Sequence, residues 1–192
     1  MKNILIIGGG IAGMEASKQL ALLNYRVVLV EKKPELGGHV LNWDRLFPNR
    51  RPSKEVISHL KEGVMHNNIT VHTNTDILSL RKEGDKFHAD LSGEKNIEAD
   101  ALLLTTGYDL FDAHRKEEYG YGIYNNVVTS SELEKMLAKG EIKTAEGKTP
   151  KRVGIVHCVG SRDEKCGNIY CSRVCCVTGV KQAIEIKELL PD

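Results

Sequence analysis

The sequence lacks any hydrophobic run that approaches the roughly 18 residues of a membrane-spanning helix, so no membrane span is expected. It also lacks a surplus of either charge, since 27 Lys and Arg residues stand against 26 Asp and Glu residues. Proteins that bind nucleic acid need a clustered basic surplus to neutralise phosphates, so nucleic acid is not expected as a partner. The sequence contains no internal repeat and no low-complexity segment either.

A secretion signal is also missing, because Met1 leads directly into the pattern of a buried strand. The chain is therefore expected in the cytoplasm, where thiols stay reduced. Five cysteines in such a compartment indicate metal binding or redox chemistry rather than disulfide bonds. A hydrophobic fraction of 41% over 192 residues is sufficient for a globular core.

The start of the chain has the pattern of a β-α-β unit. Lys2–Ile7 and Arg26–Val30 are apolar runs of strand length, and between them Ile11–Asn24 places apolar residues at helical spacing. A crossover of this kind joins neighbouring parallel strands. The expected fold class is therefore α/β.

The other elements are predicted from the same kinds of pattern, with the segment Pro34–Pro52 expected to be a loop. Helices are expected at Ser53–Glu62 and at Ser172–Leu190. A third helix is expected to begin with a capping box formed by Ser131 and Glu134 and to end at Lys139. An antiparallel excursion is expected at Asp76–Arg81, Lys86–Leu91 and Asn96–Glu98. Further strands are expected at Ile69–Val71, Ala101–Leu104 and Arg152–His157.

Three glycines in the spacing Gly8-x-Gly10-x-x-Gly13 lie between the first strand and the first helix. At this place Gly8 permits a tight turn, Gly10 lets the backbone approach a pyrophosphate, and Gly13 lets the helix pack closely on the strand. The first helical turn, with Ile11 and Ala12, offers free N–H groups and a positive dipole end to phosphates. The motif therefore predicts a dinucleotide site.

An acidic residue strengthens that prediction. Glu31 ends the second strand, 18 positions after Gly13, where a carboxylate can accept hydrogen bonds from both hydroxyls of an adenosine ribose. The same carboxylate would repel a 2′-phosphate. The neighbouring Lys32 is a candidate for contact with a phosphate of the nucleotide.

Two further segments resemble flavoproteins that have two dinucleotide-binding domains. The stretch from Glu31 to the Gly37–Gly38 pair resembles their E-x₅-GG continuation, and Thr105-Thr106-Gly107 resembles their second flavin-contacting signature. The resemblance implies FAD as the cofactor and a Rossmann-like FAD-binding fold with an antiparallel β excursion. It also implies that the backbone near Asn74 faces the adenine and that four residues contact the flavin side, namely Gly37, Gly38, Thr106 and Gly107.

Four of the five cysteines have the spacing C-x₁₂-C-x₃-C-C, at Cys158, Cys171, Cys175 and Cys176. On a helix, Cys171 and Cys175 would share one face, close to a helix N-terminus whose dipole stabilises anionic sulfur. Cys158 is expected to end a strand and approach the same helix start. Clustered thiolates favour an iron–sulfur cluster, while a zinc site, a disulfide pair and buried structural cysteines are alternatives.

The cysteine segment, CVGSRD at 158–163 and YCSRVCC at 170–176, resembles the cluster-binding segment of a flavoprotein family, the A subunits of heterodisulfide reductase and of its quinone-interacting relatives. The resemblance implies a [4Fe–4S] cluster near the flavin, with Cys158, Cys171, Cys175 and Cys176 as ligands. It also implies other redox subunits as partners, and a homo-oligomer is compatible with it. The chain is expected to lack the additional ferredoxin-like segments and the later flavin-binding segment of that family.

These interpretations divide the chain into an FAD-binding domain (1–140), a polar linker (141–151) and a C-terminal Cys-rich strand-loop-helix (152–192), a vestige of a second nucleotide domain. The expected function is that of an electron-transferring oxidoreductase component that relays electrons between FAD and the cluster to a partner protein, with no catalytic side chain assigned. A cysteine stands where a second phosphate-binding turn would be, so the cluster is expected to replace nicotinamide as the flavin's redox partner. The alternatives are a non-catalytic flavin-binding module and a dithiol flavoenzyme similar to thioredoxin reductase.

Overall fold

The computed structural model describes residues 1–191, and these form two compact units. The first unit consists of Met1–Leu41 and Ser53–Tyr108, and the second consists of Asn42–Pro52 together with the chain from Asp109 onward. The predicted division into residues 1–140, 141–151 and 152–192 stays a prediction.

The elements follow one another in an α/β order. The strands are β1 (Asn3–Ile7), β2 (Arg26–Val30), β3 (Arg45–Leu46), β4 (Arg51–Pro52), β5 (Ile69–His72), β6 (Ile77–Glu83), β7 (Lys86–Leu91), β8 (Lys95–Ala99) and β9 (Ala101–Leu104). The helices are α1 (Ile11–Leu22), α2 (Ser53–Gly63), α3 (Ser130–Ala138) and α4 (Cys175–Leu189).

A parallel sheet with the strand order β5-β2-β1-β9 is the frame of the first unit. Ile7, the last residue of β1, pairs with Val30 on one side and Leu104 on the other, so three strands end at the same level. Leu5, Ile6 and Leu29 are fully buried, as expected for strands covered on both faces. Loops that follow these strands therefore meet at one edge of the sheet, where ligands of open α/β sheets bind.

The antiparallel excursion between β5 and β9 is confirmed. β6, β7 and β8 form a three-stranded sheet of that order, in which Phe87 of β7 pairs with Ala99 of β8. Ala89 and Leu91 of β7 share a buried hydrophobic cluster with Leu5 of β1, so the excursion packs on the parallel sheet.

In the second unit, α3 and α4 pack through Leu133, Leu137 and Ile186. Beside this contact lies a buried polar cluster formed by Glu134, Lys181, Gln182 and Glu185. The Lys181 ammonium is 2.7 Å from Glu134 and 3.3 Å from Glu185, and Gln182 donates to Glu134 at 2.9 Å. Within residues 1–191, neither carboxylate oxygen of the buried Glu185 has a hydrogen-bond partner.

The predicted strand Arg152–His157 is wrong. This segment has no regular structure, and its apolar side chains Val153 and Val156 are 47% and 60% exposed. A strand needs a neighbour for its N–H and C=O groups, and none of the described strands pairs with this segment. The cysteine segment is therefore a loop followed by a helix, without the predicted strand.

The predicted helix Ser172–Leu190 begins later, at Cys175. Arg173 has a φ of +63°, a left-handed conformation that a right-handed helix does not contain. Cys171 therefore lies before α4, and the expectation that it shares a helix face with Cys175 is wrong.

The capping box of α3 lies at Thr129, directly before the first helical residue Ser130. The hydroxyl of Thr129 accepts from the N–H of Glu132, whose carboxylate accepts from the N–H of Thr129. The predicted pair of Ser131 and Glu134 is thus incorrect, because the helix is already under way at Ser131 and Glu134 belongs to the buried polar cluster.

The segment Pro34–Pro52, expected as a loop, contains two short elements. These are a 3₁₀ turn at Gly38–Asn42 and the β3–β4 hairpin, in which Leu46 pairs with Arg51.

No helix among residues 1–191 has the length and apolar character needed to cross a membrane.

Candidate functional site

The turn between β1 and α1 is packed so tightly that a Cβ atom at Gly8 or at Gly13 would clash with backbone atoms. Gly8 has a φ of +108°, and a Cβ atom there would lie 2.3 Å from the carbonyl oxygen of Thr105. A Cβ atom on Gly13 would lie 1.9 Å from the carbonyl oxygen of Gly8. Both distances are far below a van der Waals contact, so the structure agrees with the roles predicted for Gly8 in the turn and Gly13 in helix packing.

Gly10 is different, because among residues 1–191 no atom other than those of Gly10 and its two chain neighbours lies within 4 Å of the Cβ position it lacks. Gly10 is the N-cap of α1, and no side chain of the described residues caps the helix there. The first-turn N–H groups of Ile11, Ala12 and Gly13 have no partner inside the helix. The turn therefore presents N–H groups and a positive dipole end to an open space, which suits a phosphate.

The carboxylate of Glu31 is held beside this turn by two backbone donors. Its Oε2 atom accepts from the N–H of Gly9 at 2.6 Å, and its Oε1 atom accepts from the N–H of Lys33 at 2.8 Å. Glu31 is buried at the end of β2, whereas the side chain of Lys32 is exposed. Each carboxylate oxygen has a further lone pair, so the group can still accept from hydroxyls of a ligand.

The glycine pair after Glu31 passes directly over the turn. The N–H of Gly37 donates to the carbonyl oxygen of Gly9 at 2.8 Å. Gly38 has a φ of +61°, and a Cβ atom there would lie 3.3 Å from the Cα atom of Gly10. Leu36, which precedes the pair, is buried and fills the space that a side chain on Gly9 would need.

The segments after β5 and β9 complete the same edge of the sheet. The Thr105 hydroxyl donates to the carbonyl oxygens of Ile7 and Gly8, at 3.0 and 2.8 Å, and locks the turn to β9. Thr106 is exposed, and Gly107 has a φ of +74°. Asn74 has a φ of +49°, and its N–H donates to the carbonyl oxygen of Lys33 at 3.0 Å.

The sequence-predicted residues therefore meet around one loop-lined edge of the first unit, although their contacts with a ligand stay predictions. Three residues that position the site were not predicted, namely Gly9, Leu36 and Thr105. Gly9 and Thr105 stand inside the motifs that were recognised, but their roles depend on neighbours distant in sequence. Leu36 stands next to the glycine pair, and its burial against Gly9 could have been suggested by its apolar character among charged residues.

The cysteine loop of the second unit has unusual backbone geometry. Cys158, Arg162 and Arg173 all have positive φ angles, of +61°, +56° and +63°, in which non-glycine residues are uncommon. The Ser161 hydroxyl donates to the carbonyl oxygen of Tyr170 at 3.1 Å and accepts from the N–H of Ser172 at 3.0 Å. Ser161 thus ties the stretch of chain after Cys158 to the one that contains Cys171.

All five cysteines are free thiols. The sulfur atoms of Cys175 and Cys176 and a ring nitrogen of His157 lie within 4.8 Å of one another. Hydrogen bonds from the Ser172 side chain and the Cys158 backbone lower the pKa of Cys175. The hydrogen bond with Cys175 raises the pKa of Cys176, and charges at Cys158 and Cys171 act in the same direction.

The fifth cysteine has a separate environment. Cys166 ends a 3₁₀ turn capped by Asp163, whose Oδ1 atom accepts from the N–H of Lys165 at 3.0 Å. The buried ammonium of Lys116 lies 2.6 Å from the Asp163 carboxylate, and the hydrogen bond from Lys116 lowers the pKa of Asp163. Cys166 is outside the group formed by His157, Cys175 and Cys176, as are Cys158 and Cys171.

The donor set of the cysteine loop suits a soft metal centre. Thiolates with an imidazole nearby select zinc, copper(I) or iron–sulfur clusters over magnesium or calcium. Cys175 and Cys176 lie together beside His157, and hydrogen bonds from the backbone and side chain of Cys158 to Cys175 bring that residue to the same place. The assignment of all four thiolates to one centre stays a prediction.

The fold and the glycine-lined edge of the first unit are those of a dinucleotide-binding oxidoreductase. The profile of the pyridine nucleotide-disulphide oxidoreductase family matches residues 2–135, so the chain belongs to this family, whose members are FAD-dependent oxidoreductases. The L-proline dehydrogenase from P. horikoshii has a similar structure, with 28% identity and a TM-score of 0.50 over 55% of this chain and 22% of that chain. The predicted fold class and the predicted class of enzyme are confirmed.

Two curated relatives narrow the resemblance, and both are A subunits of heterodisulfide reductases. The one from the ferredoxin/F(420)H(2)-dependent CoB-CoM heterodisulfide reductase of Methanosarcina acetivorans is 30% identical over 278 aligned positions, which cover 100% of this chain and 35% of the relative. The iron-sulfur A subunit of the CoB–CoM heterodisulfide reductase of Methanocaldococcus jannaschii is 31% identical, over 97% of this chain and 42% of the relative. The resemblance to this group of flavoproteins is thereby confirmed.

The chain spans only about two fifths or less of the length of these relatives. The alignment with the Methanosarcina protein is also longer than the 192 residues of this chain. That relative therefore contains residues inside the matched region that have no counterpart here.

Proposed function

We propose that the first unit binds FAD at the edge formed by the turn between β1 and α1. The first turn of α1 donates N–H groups to the pyrophosphate, and Glu31 accepts from the adenosine ribose. The open space at Gly10 is the observation that supports this most directly, because the neighbouring glycines of the turn are packed against backbone or side chains. The remaining contacts are assigned to Lys32 and the backbone of Asn74 on the ADP side, and to Gly37, Gly38, Thr106 and Gly107 on the flavin side.

For the second unit we infer a [4Fe–4S] cluster, held by Cys158, Cys171, Cys175 and Cys176. Free thiols at all four positions and the adjacent pair Cys175–Cys176 support this assignment. The left-handed backbone conformations of Cys158 and Arg173 also support it. Such strained conformations cluster at functional sites, where the surrounding structure stabilises them. The N-terminus of α4 adds a positive dipole end close to Cys175 and Cys176.

On this basis the chain is part of an electron-transferring oxidoreductase that works in a complex. When bound, FAD supplies two-electron chemistry and the cluster supplies single-electron transfer. The residues of the chain bind and orient these groups, with the cluster as the flavin's redox partner in place of a nicotinamide. The names of the relatives, each an A subunit of a heterodisulfide reductase, support membership of a multi-subunit complex with other redox subunits. We further propose a cytoplasmic location, with a second copy of the chain as an alternative partner.

A cysteine series tests the cluster assignment. Single Cys→Ser variants at the four proposed ligands should each lower the iron content of anaerobically purified protein, because a serine hydroxyl replaces a thiolate ligand. Cys166→Ser is the matched control from the same loop and should keep the iron content of the wild type. FAD content should be unchanged in all five variants, since the proposed flavin site lies in the first unit.

The assignment would be contradicted if Cys166→Ser lost iron as fully as the other variants, or if any proposed ligand could be replaced without loss of iron.

The redox role of the cluster is tested separately. Flavin in a cluster-free variant should be reduced by NADH only slowly, and fast reduction would show that a nicotinamide is the flavin's partner.

A further inference from the structure

The imidazole of His157 lies against the start of α4, beside two of the proposed cluster ligands. One of its ring nitrogens and the sulfur atoms of Cys175 and Cys176 lie within 4.8 Å of one another. His157 also directly precedes Cys158 in the chain. The ring is thus next to the proposed cluster both in sequence and in space.

A glycine in α4 provides the place where this ring lies. A Cβ atom on the buried Gly179 would come within 2.4 Å of the His157 Cε1 atom and within 3.2 Å of both ring nitrogens. Gly179 follows Cys175 by four positions and Cys176 by three, so all three share one face of the helix. The imidazole therefore occupies the volume that any other side chain at position 179 would need.

The number of donors decides which role remains for the imidazole. A [4Fe–4S] cluster takes four protein ligands, and the proposed function assigns all four places to free thiols. A histidine ring carries an N–H group in either neutral tautomer, and an anionic sulfur is an acceptor for it. The fifth donor is thus suited to hydrogen bonding rather than to coordination.

We propose that His157 is a positioning residue whose imidazole N–H donates a hydrogen bond to a sulfur of the Cys175–Cys176 pair and raises the reduction potential of the cluster. Hydrogen bonds to cluster sulfurs stabilise the reduced form, which carries more negative charge. This inference rests on the proposed function and deepens it, because it concerns how the chain tunes the same centre.

Pulsed EPR on the reduced full chain, with ¹⁴N- and then ¹⁵N-labelled histidine, tests the contact directly. A weak nitrogen coupling that changes with the label and disappears in His157→Leu is expected. A strong coupling typical of a coordinated imidazole would overturn the proposal, and so would the absence of any histidine coupling.

Redox titration of the same proteins tests the consequence. His157→Leu should keep its iron and show a more negative midpoint potential than the wild type. Gly179→Ala should shift the potential in the same direction, because the new methyl group displaces the ring while helix propensity improves. His157→Gln retains an N–H donor and should return the potential towards that of the wild type.

Iron content separates the two ways in which the inference can fail. Wild-type protein without iron would refute the proposed cluster and, with it, the role of His157. Iron-containing variants whose potentials all equal that of the wild type would refute only the role of His157.

Discussion

Replacing Gly13 by alanine introduces a methyl group 1.9 Å from the carbonyl oxygen of Gly8 and 2.8 Å from the Thr105 hydroxyl. The nearer atom is backbone, so the methyl group can be accommodated only if α1 moves away from the end of β1. Overpacking of this kind costs about 3 kcal/mol, and the gain in helix propensity returns up to about 1 kcal/mol. The net loss of about 2 kcal/mol corresponds to a fall in Tm of about 4–8 °C for a chain of this size.

Gly10→Ala is the matched control three residues away in the same turn. Its Cβ atom meets nothing within 4 Å among residues 1–191 apart from its own chain neighbours, so the free protein should lose no more than about 1 kcal/mol. The same methyl group would project into the space assigned to the pyrophosphate. The affinity of this variant for FAD should therefore fall at least about tenfold, or about 1.4 kcal/mol.

Thermal unfolding without ligand, followed by FAD titration of both variants, checks this pair. Equal losses of Tm in the two variants would refute the steric explanation of Gly13. An unchanged FAD affinity in Gly10→Ala would refute the assignment of the open space to the cofactor.

Three further results are expected. Glu31→Gln should weaken FAD binding and lower Tm, because two charge-assisted hydrogen bonds of about 1.5–3 kcal/mol each lose their anion; unchanged values in both measurements would contradict the role of this carboxylate. Glu134→Gln should destabilise the chain by about 3 kcal/mol, measured by denaturant unfolding, because it removes the closest anion from the buried Lys181. Glu185→Gln should instead be neutral or stabilising at pH 7, since burial raises the pKa of Glu185 and its oxygens lack hydrogen bonds within residues 1–191. A raised folded-state pKa means that the carboxylate destabilises the fold above that pKa, so the Tm values of Glu185→Gln and the wild type should converge as the pH falls towards about 4.

The first unit could be predicted largely from the sequence because the patterns that specify its turn, strands and acidic residue lie within short stretches of the chain. The turn at Gly8, Gly10 and Gly13 needs particular backbone conformations within six residues, and Glu31 has its place fixed by the short β-α-β connection. Strand periodicity also identified the antiparallel excursion. Thr105 was not predicted because its hydroxyl acts on carbonyl groups of Ile7 and Gly8, nearly a hundred positions earlier.

The second unit was harder to predict because its secondary structure depends on contacts between residues that are distant in the sequence. The apolar run before Cys158 has the composition of a strand, but composition does not reveal whether a partner strand exists. The start of α4 depends on the left-handed conformation of Arg173, which no local rule predicts for an arginine. The place of His157 depends on Gly179, a residue well further along the chain, whose missing side chain leaves the room for the ring.

The measurement that tests the central claim most directly is the cofactor content of the full chain after anaerobic purification. We predict one FAD and about four irons per chain, with sulfide in equal amount to iron. Zinc in place of iron, or free thiols without any metal, would contradict the cluster, and protein that binds no flavin when FAD is supplied would contradict the first unit's role.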